Sequence, residues 1–445
     1  MAQRPLRREK TGQEIPADVA VIGAGAAGCM AALCAAQAGA ARVLVLERNA
    51  KAAAKIYATG NGRCNLTNLY QDISCYHFAD AAQREAGGEI LAAYPNARLL
   101  SFFTENGVLL HDRGGYVYPR TDQASTVALL FERLLREDPR IDVRLGASVR
   151  ETVPPAGGAS LWTIRTEDGA VFRAKAVLFA CGGMAGPQFG CGRTGYTLLA
   201  SLGHSVRKPL PALVQLQCGE DAQALRSAQG TRFQGKITLV TDGTAADSHT
   251  GEMLFTENGV SGIPAMQVSG QAARALEEGR SAEIVIDLLP EVEASVWERE
   301  TARRLELAEV SGDRMLSEWL FGLVPDKVQI PVLAQLGLVR EKKLRKVPAG
   351  MREQILRSLR SLRMRVTGTG EFDKAQVTGG GIPLSEVRGD LSSKRQPGLF
   401  IAGELLDADG ICGGYNLRWA FSTGAAAGKA AAEYAAGAAE RGAER

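Results

Sequence analysis

The sequence predicts an α/β fold of the Rossmann-like, dinucleotide-binding kind, interrupted by an inserted second domain. Three observations carry this. A short apolar run, Asp18–Ile22, leads directly into Gly23-Ala-Gly25-Ala26-Ala27-Gly28 and a small-residue helical stretch to about Ala38. A second apolar run, Arg42–Leu46, ends on Glu47, 47 − 28 = 19 residues past the last glycine. Finally, the pattern changes character between about Ser205 and Glu371 before Gly-rich turns and an apolar strand return.

Each element of the first unit has a physical reason. Gly23 permits the tight turn, Gly25 lets backbone approach a pyrophosphate, and Gly28 allows close helix–strand packing. Ala26 and Ala27 open the helix, whose N-terminal N–H groups and dipole favour phosphate. Glu47 can accept hydrogen bonds from ribose hydroxyls and would repel a 2′-phosphate.

At 445 residues the chain exceeds one ordinary core, so two or three domains are expected. A net charge of 52 − 49 = +3 gives no global electrostatic case for nucleic acid or an anionic membrane surface. The eight cysteines include no C-x-x-C pair and no histidine at metal spacing. Free thiols in a reducing cytoplasm fit this usage, with no metal and no dithiol–disulfide chemistry. Arg7-Arg8 before the small-residue stretch Val19–Ala41 imitates a signal or a membrane span. That stretch is poor in Leu, Ile and Phe and holds the glycine fingerprint, so it is read as neither.

Further along, a helix is expected near Asn96–Asn106, a hairpin through Val108–Tyr118 and a helix over Gln123–Arg136. Val143–Leu145, Leu161–Thr166 and Val171–Arg173 read as a β-meander, and Ala176–Ala180 as a separate buried strand ending in Cys181-Gly182-Gly183. The basic stretches Arg340–Lys346 and Arg357–Arg365 read as solvated helix faces, because acids are interleaved along most of the segment. An Ala-rich helix starts near Tyr415.

The fingerprint alone does not choose between NAD and FAD; later features do. Lys55–Asn68, containing Thr59-Gly60-Asn61-Gly62-Arg63-Cys64-Asn65, is a Gly/Asn-rich loop longer than an NAD site needs. Ala180 and Gly182 end a strand that returns to the cofactor after the meander. Gly398–Glu404 is a strand ending in Gly403 and an acid, and Gly413–Ala420 starts a helix whose N–H groups would meet the flavin pyrimidine edge. An extended cofactor with two ends explains motifs at both ends of the chain, and FAD is the expectation. Cys64 and Cys412 are read as packing residues of these loops.

The runs Ala58–Asn68, Gln376–Gly381 and Gly403–Ser422 resemble a bacterial NAD(P)/FAD-dependent oxidoreductase family that includes aminoacetone oxidase and bile-acid Δ4,6-reductase flavoproteins. The likeness spans nearly the whole chain. It implies a glutathione-reductase-type FAD domain (17–204 and 372–439) with an inserted substrate-side domain (205–371), β-barrel-like over 205–288 and helical over 289–371. Polar and frayed tails are expected at 1–16 and 440–445. It also implies Gly23, Gly25 and Gly28 at the pyrophosphate, Glu47 at the ribose and Val149 at adenine, with Arg48 a further cofactor-binding residue. Thr59–Asn65 would run along the ribityl and isoalloxazine, Gly403 and Glu404 hold the ribityl and pyrophosphate, and Asn416–Leu417 meet the pyrimidine edge, with Lys55 and Ala420 further cofactor-binding residues. Two positions depart from the pattern: Gln123 stands for an expected Lys and Arg418 for an expected Gln. Arg418 is read as an outward, solvated residue.

The chemistry has competing readings. In the first, reduced flavin delivers hydride to an activated C=C bond of a small organic substrate, steroid- or bile-acid-like by resemblance. Tyr415, His111 and Arg120, with Tyr118, are then candidate proton donors. In the second, oxidised flavin takes hydride from an amine or alcohol and oxygen reoxidises it. A third is a flavin-bound, RNA-associated or sensor protein. No second glycine fingerprint is present, so NAD(P)H would dock only transiently as electron donor. Substrate selection is expected in 205–371 and around Tyr57, His111 and Tyr415.

Overall fold

A computed structural model describes residues 16–443 apart from 157–159, 220, 221 and 311. The expected N-terminal tail falls outside these, as do residues 444 and 445. The chain forms two compact units, one from the residues up to Pro209 together with those from Val377 on, the other Leu210–Gln376.

The first unit is built on a seven-stranded sheet. Its elements are β1 (Ala17–Ile22), α1 (Ala26–Gln37), β2 (Val43–Glu47), β3 (Ile141–Leu145), β4 (Val149–Val153), β5 (Trp162–Thr166), β6 (Val171–Phe179), β7 (Leu399–Ile401) and α2 (Tyr415–Ala443). β3, β2, β1, β6 and β7 run parallel, while β5 and β4 continue from β6 as an antiparallel meander. The register fixes the site. Ile22 lies level with Leu46 and with Phe179, and Phe179 with Ile401. Gly23, Glu47, Ala180 and Gly403 therefore leave the sheet at one edge, the carboxyl edge where open α/β sheets bind ligands.

Two strand expectations are corrected. Val143–Leu145 belongs to β3, a parallel partner of β2, and not to the meander. Val171–Arg173 and Ala176–Ala180 are not separate elements, since Val171–Phe179 is one strand. Its first half alternates buried and exposed residues against β5, and its second half is buried throughout between β1 and β7. That change of pattern imitates a break in the sequence.

α1 and α2 pack at backbone distance. A Cβ on Gly424 would stand 2.2 Å from the Ala27 carbonyl oxygen, and one on Gly428 2.2 Å from that of Ala31. The pairs 27/424 and 31/428 advance together, so the helices run parallel. Ala27 is one residue into α1 and Gly424 nine into α2, so the α2 N-terminus stands about 12 Å beyond that of α1 at 1.5 Å per residue.

The second unit holds another seven-stranded sheet, in the order Leu362–Arg365, Ala282–Asp287, Arg232–Thr241, Thr244–Phe255, Gly259–Gly262, Leu216–Gln217, Gly368–Thr369. Its strand pairs are antiparallel, with helix Ile263–Glu277 packed on it. The first and last of these strands come from the segment expected to be helical. Leu362 and Met364 are buried while Arg363 and Arg365 point outward, so the basic stretch there is part helix and part strand. Among the described residues, no helix is long and apolar enough to cross a membrane.

The helix contact makes a stability prediction. Gly428→Leu should lower stability by about 1–3 kcal/mol through overpacking. Gly88→Ala, inside helix Ala81–Ala93 with open space at its Cβ position, should raise it by about 0.5–1 kcal/mol. Urea unfolding midpoints read both, and a neutral Gly428→Leu would contradict the packing described.

Candidate functional site

The glycine turn closes on itself. Gly23 has φ +101°, and a Cβ there would come 2.5 Å from the Ala180 carbonyl oxygen; a Cβ on Gly28 would come 1.9 Å from that of Gly23. Gly25 differs. It is extended, caps α1 without a side-chain bond, and nothing lies within 4 Å of a Cβ placed on it. Open ground thus remains over a helix N-terminus, as a pyrophosphate requires.

Glu47 is 6% exposed at the end of β2. Its Oε2 accepts the Ala24 N–H at 2.7 Å and its Oε1 the Asn49 N–H at 2.8 Å. Burial pushes its pKa up, outweighing those hydrogen bonds. Beside it, Arg48 Nη1 donates to Gly190 O (3.2 Å), Asn49 Nδ2 to Phe189 O (2.9 Å) and Ala147 N–H to Glu47 O (2.8 Å). Val149, buried at the head of β4, follows two residues later.

The loop after Glu47 makes tight turns over Ala54–Gly62, broken where Thr59 is extended and Gly60 and Asn61 are left-handed. Cys64, also left-handed, is fully buried, and burial pushes its thiol up to about 12. Gly62 has open space at its Cβ position, and Arg63 is exposed. Lys55 Nζ donates to Glu404 Oε2 at 2.8 Å, across 349 residues of chain. Glu404 Oε1 accepts the Thr378 N–H at 2.9 Å, and Thr378 Oγ1 accepts the Met184 and Ala185 N–H groups at 2.8 and 3.0 Å. Burial works against the Lys55 ammonium, but Glu404 outweighs it and leaves the lysine pKa above its ordinary value. Lys55 and Glu404, each expected to touch cofactor, therefore also hold one another, while Gly182, with φ +75°, lies on the segment leading to Met184.

At the start of α2, Gly413 and Gly414 are left without room for side chains. A Cβ on Gly413 would stand 2.8 Å from the Tyr116 ring, and one on Gly414 2.6 Å from the Thr67 carbonyl. Asn65, with its amide oriented to satisfy both ends, donates to the Thr67 and Val117 carbonyls and accepts from Gly414 N–H. Asn68 Nδ2 donates to Gly413 O at 3.1 Å. Asn416 staples its own turn, accepting the Gly410 N–H at 2.8 Å and donating to Gly410 O at 2.7 Å. Leu417 and Ala420 are half-buried on α2.

Arg418 is corrected. It is 3% exposed, with Nη1 donating to Tyr94 O (2.7 Å), Nη2 to Leu91 O (3.3 Å) and Nε to Gln71 Oε1 (3.1 Å). It satisfies the last carbonyls of helix Ala81–Ala93, a favourable place for a cation. The candidate proton donors separate. Tyr415 is 4% exposed, packed edge-on to Tyr76 at 5.6 Å, and burial with a Cys75 hydrogen bond drives its pKa upward. His111 Nε2 meets Asp122 Oδ1 at 2.9 Å, and Arg113 binds the same carboxylate. Arg120 is exposed, with its N–H donated to Leu109 O at 2.7 Å. Tyr57 is half-buried, its hydroxyl taking a hydrogen bond from Lys51. The sequence reading missed Thr378 as a bridge and the contact of His77 Nδ1 with Asp409 Oδ2 at 3.0 Å; a histidine in an unremarkable strand gave no signal. Among the described residues, no group of three or more His, Cys, Asp or Glu could hold a metal.

The model of the HI0933-like protein Rossmann domain matches residues 17–430. The chain belongs to the HI0933-like family. This HI0933-like protein is 39% identical to the 3-dehydro-bile acid delta(4,6)-reductase of Clostridium scindens, over 93% of this chain and 99% of that one. It is 26% identical to the ribosomal RNA dihydrouridine synthase of Escherichia coli, over 91% and 96%. Among solved structures, the open conformation of a flavocytochrome c3 fumarate reductase aligns at TM-score 0.49 and 17% identity, covering 95% of this chain and 79% of that one. The HI0933-like chain is an FAD-dependent oxidoreductase with a Rossmann-like FAD domain.

The Lys55–Glu404 pair can be measured in isolation. Lys55→Met and Glu404→Gln should each cost about 1–3 kcal/mol, as for hydrogen bonds to charged groups. A double-mutant cycle on denaturation midpoints should show the double variant losing clearly less than the sum; strict additivity would mean the pair is not coupled.

Proposed function

We propose that the protein uses bound FAD to reduce a C=C bond conjugated to a carbonyl in a planar, steroid- or bile-acid-like substrate. The observation that carries this is the 39% identity to the bile-acid reductase over nearly the full length of both chains. In this reading the α1 N-terminus at Gly25–Ala27 receives the pyrophosphate, Glu47 and Arg48 the ribose, and Val149 the adenine. The Thr59–Asn65 loop lines the flavin, and the α2 N-terminus at Asn416–Leu417 meets its pyrimidine edge. The open backbone at Gly25 and Gly62 and the offset of the two helix N-termini fit a cofactor of that length. Bound FAD supplies hydride transfer; the chain orients the substrate ring, excludes water and delivers the balancing proton. NAD(P)H serves as transient electron donor.

A second reading has a specific observation behind it. The ribosomal RNA dihydrouridine synthases of Escherichia coli and Haemophilus influenzae are each 26% identical over 91% of this chain. Under it, the reducible bond is the C5=C6 bond of a uracil ring in RNA, again conjugated to a carbonyl.

Anaerobic stopped-flow absorbance decides between them. NAD(P)H should bleach the flavin, and a 4-ene-3-keto steroid should restore its colour within seconds. Reoxidation by ribosomal RNA lacking dihydrouridine, with no response to the steroid, would transfer the assignment to the second reading.

A further inference from the structure

The hairpin formed by Leu110–Arg113 and Tyr116–Pro119 has two unlike faces. Val117 and Pro119 are buried on one. Cross-strand register pairs His111 with Tyr118 and Arg113 with Tyr116. Side chains directly opposite share a face, and residues two apart on a strand do too. His111, Arg113, Tyr116 and Tyr118 therefore form one surface, consistent with the 6.0 Å separation of the His111 and Tyr118 rings and the Arg113 guanidinium 5.9 Å from the Tyr118 ring.

That surface belongs to the candidate site. The Tyr116–Pro119 strand pairs with Thr67-Asn68, Leu66 N–H donates to Val117 O at 2.9 Å, and Tyr116 touches the Gly413 position. The hairpin is thus bonded to the end of the Thr59–Asn65 loop and abuts the turn before α2. Its four side chains differ in their fitness as acids. The His111 imidazole is held by Asp122, and Arg113 shares that carboxylate. Tyr116 is 40% exposed. Tyr118 is half-buried and carries a phenolic proton with guanidinium charge nearby to stabilise the phenolate it would leave.

We propose that Tyr118 is the catalytic acid, its phenol protonating the carbon adjacent to the substrate carbonyl. The inference rests on the C=C reduction proposed above. Bound flavin, when reduced, would supply the hydride that forms the β C–H bond, and the π pair of the C=C bond would move toward the carbonyl as an enolate. The enolate closes onto the Tyr118 proton, forming the α C–H bond as the O–H bond breaks. The substrate gains two electrons and two hydrogens, the flavin is oxidised by two electrons, and the phenolate recovers its proton from water. Burial outweighs the neighbouring Arg63 and raises the Tyr118 pKa, so the phenol is protonated at neutral pH.

The test separates proton transfer from hydride transfer. With the flavin oxidised and a saturated 3-keto steroid in D2O, wild type should catalyse hydrogen–deuterium exchange at the α-carbon, rising with pH as the Tyr118 phenolate that must act as the base becomes populated, read by NMR without any redox turnover. Tyr118→Phe should reduce both this exchange and steroid enone reduction by about 10²–10⁴-fold, the usual contribution of a general acid, while retaining the flavin spectrum and ketone affinity. Tyr118→His, which keeps a titratable acid, should recover part of the exchange; a purely structural tyrosine would not be rescued so. Wild-type rates in Tyr118→Phe, with wild type reducing the enone, overturn Tyr118 and leave the proposed reaction standing. A wild type that neither reduces nor exchanges the steroid overturns both.

Discussion

Glu404 is where the distant parts of the first unit meet. One carboxylate oxygen takes the Lys55 ammonium, the other the Thr378 N–H, and Thr378 in turn ties down Met184 and Ala185. Two stretches, at Lys55 and Thr378, thus meet on the Glu404 carboxylate, and Thr378 brings in a third at Met184–Ala185. A whole folded unit intervenes between two of them. The entropic cost of that long closure grows only logarithmically with length. It is also relieved locally, because the chain departs near Lys208 and returns at Gly380 in contact with it, a Cβ there standing 2.5 Å from the Lys208 carbonyl oxygen. Insertions whose ends are neighbours leave their host fold undisturbed.

The same economy governs the two helices. Small residues let α1 and α2 approach until backbone meets side-chain-free backbone, and the parallel pairing fixes both their direction and their offset. Each helix then presents a positive N-terminal end at the carboxyl edge of the sheet, one about 12 Å beyond the other. In the binding mode proposed above, one end would face the phosphates of the cofactor and the other its electron-accepting ring. The glycines of α2 therefore act on the site from several turns away.

What the sequence disclosed follows a physical division. Glycine spacing, strand-to-helix junctions and the terminal acid of β2 are local, and they correctly place Gly23, Gly28, Glu47 and the start of α2. The Lys55–Glu404 pair is separated by 349 residues, so no periodicity announces it. Arg418 looks solvated because polarity on a helix says nothing of what covers it; helix Ala81–Ala93 does, and its carbonyls take the guanidinium. Tyr415 fails for the complementary reason. It sits beside the right motif, but its side chain turns into the Tyr76 and Trp419 cluster instead of open space.

That last failure bears on how an acid is chosen in such a site. A residue at a helix N-terminus shares the positive end of the dipole, where an anion is welcome but a side chain must compete with packing beneath the helix. A residue on this small three-stranded sheet has more room, because Val117 and Pro119 are buried on one face while Tyr116 and Tyr118 on the other are not. Tyr118 lies on that face, half-buried, while its strand pairs with Thr67-Asn68 just after the loop expected along the flavin. In the proposed mechanism the strand would thus hold the half-buried Tyr118 ring in place by backbone hydrogen bonds, where Tyr415, packed against Tyr76, has no such freedom.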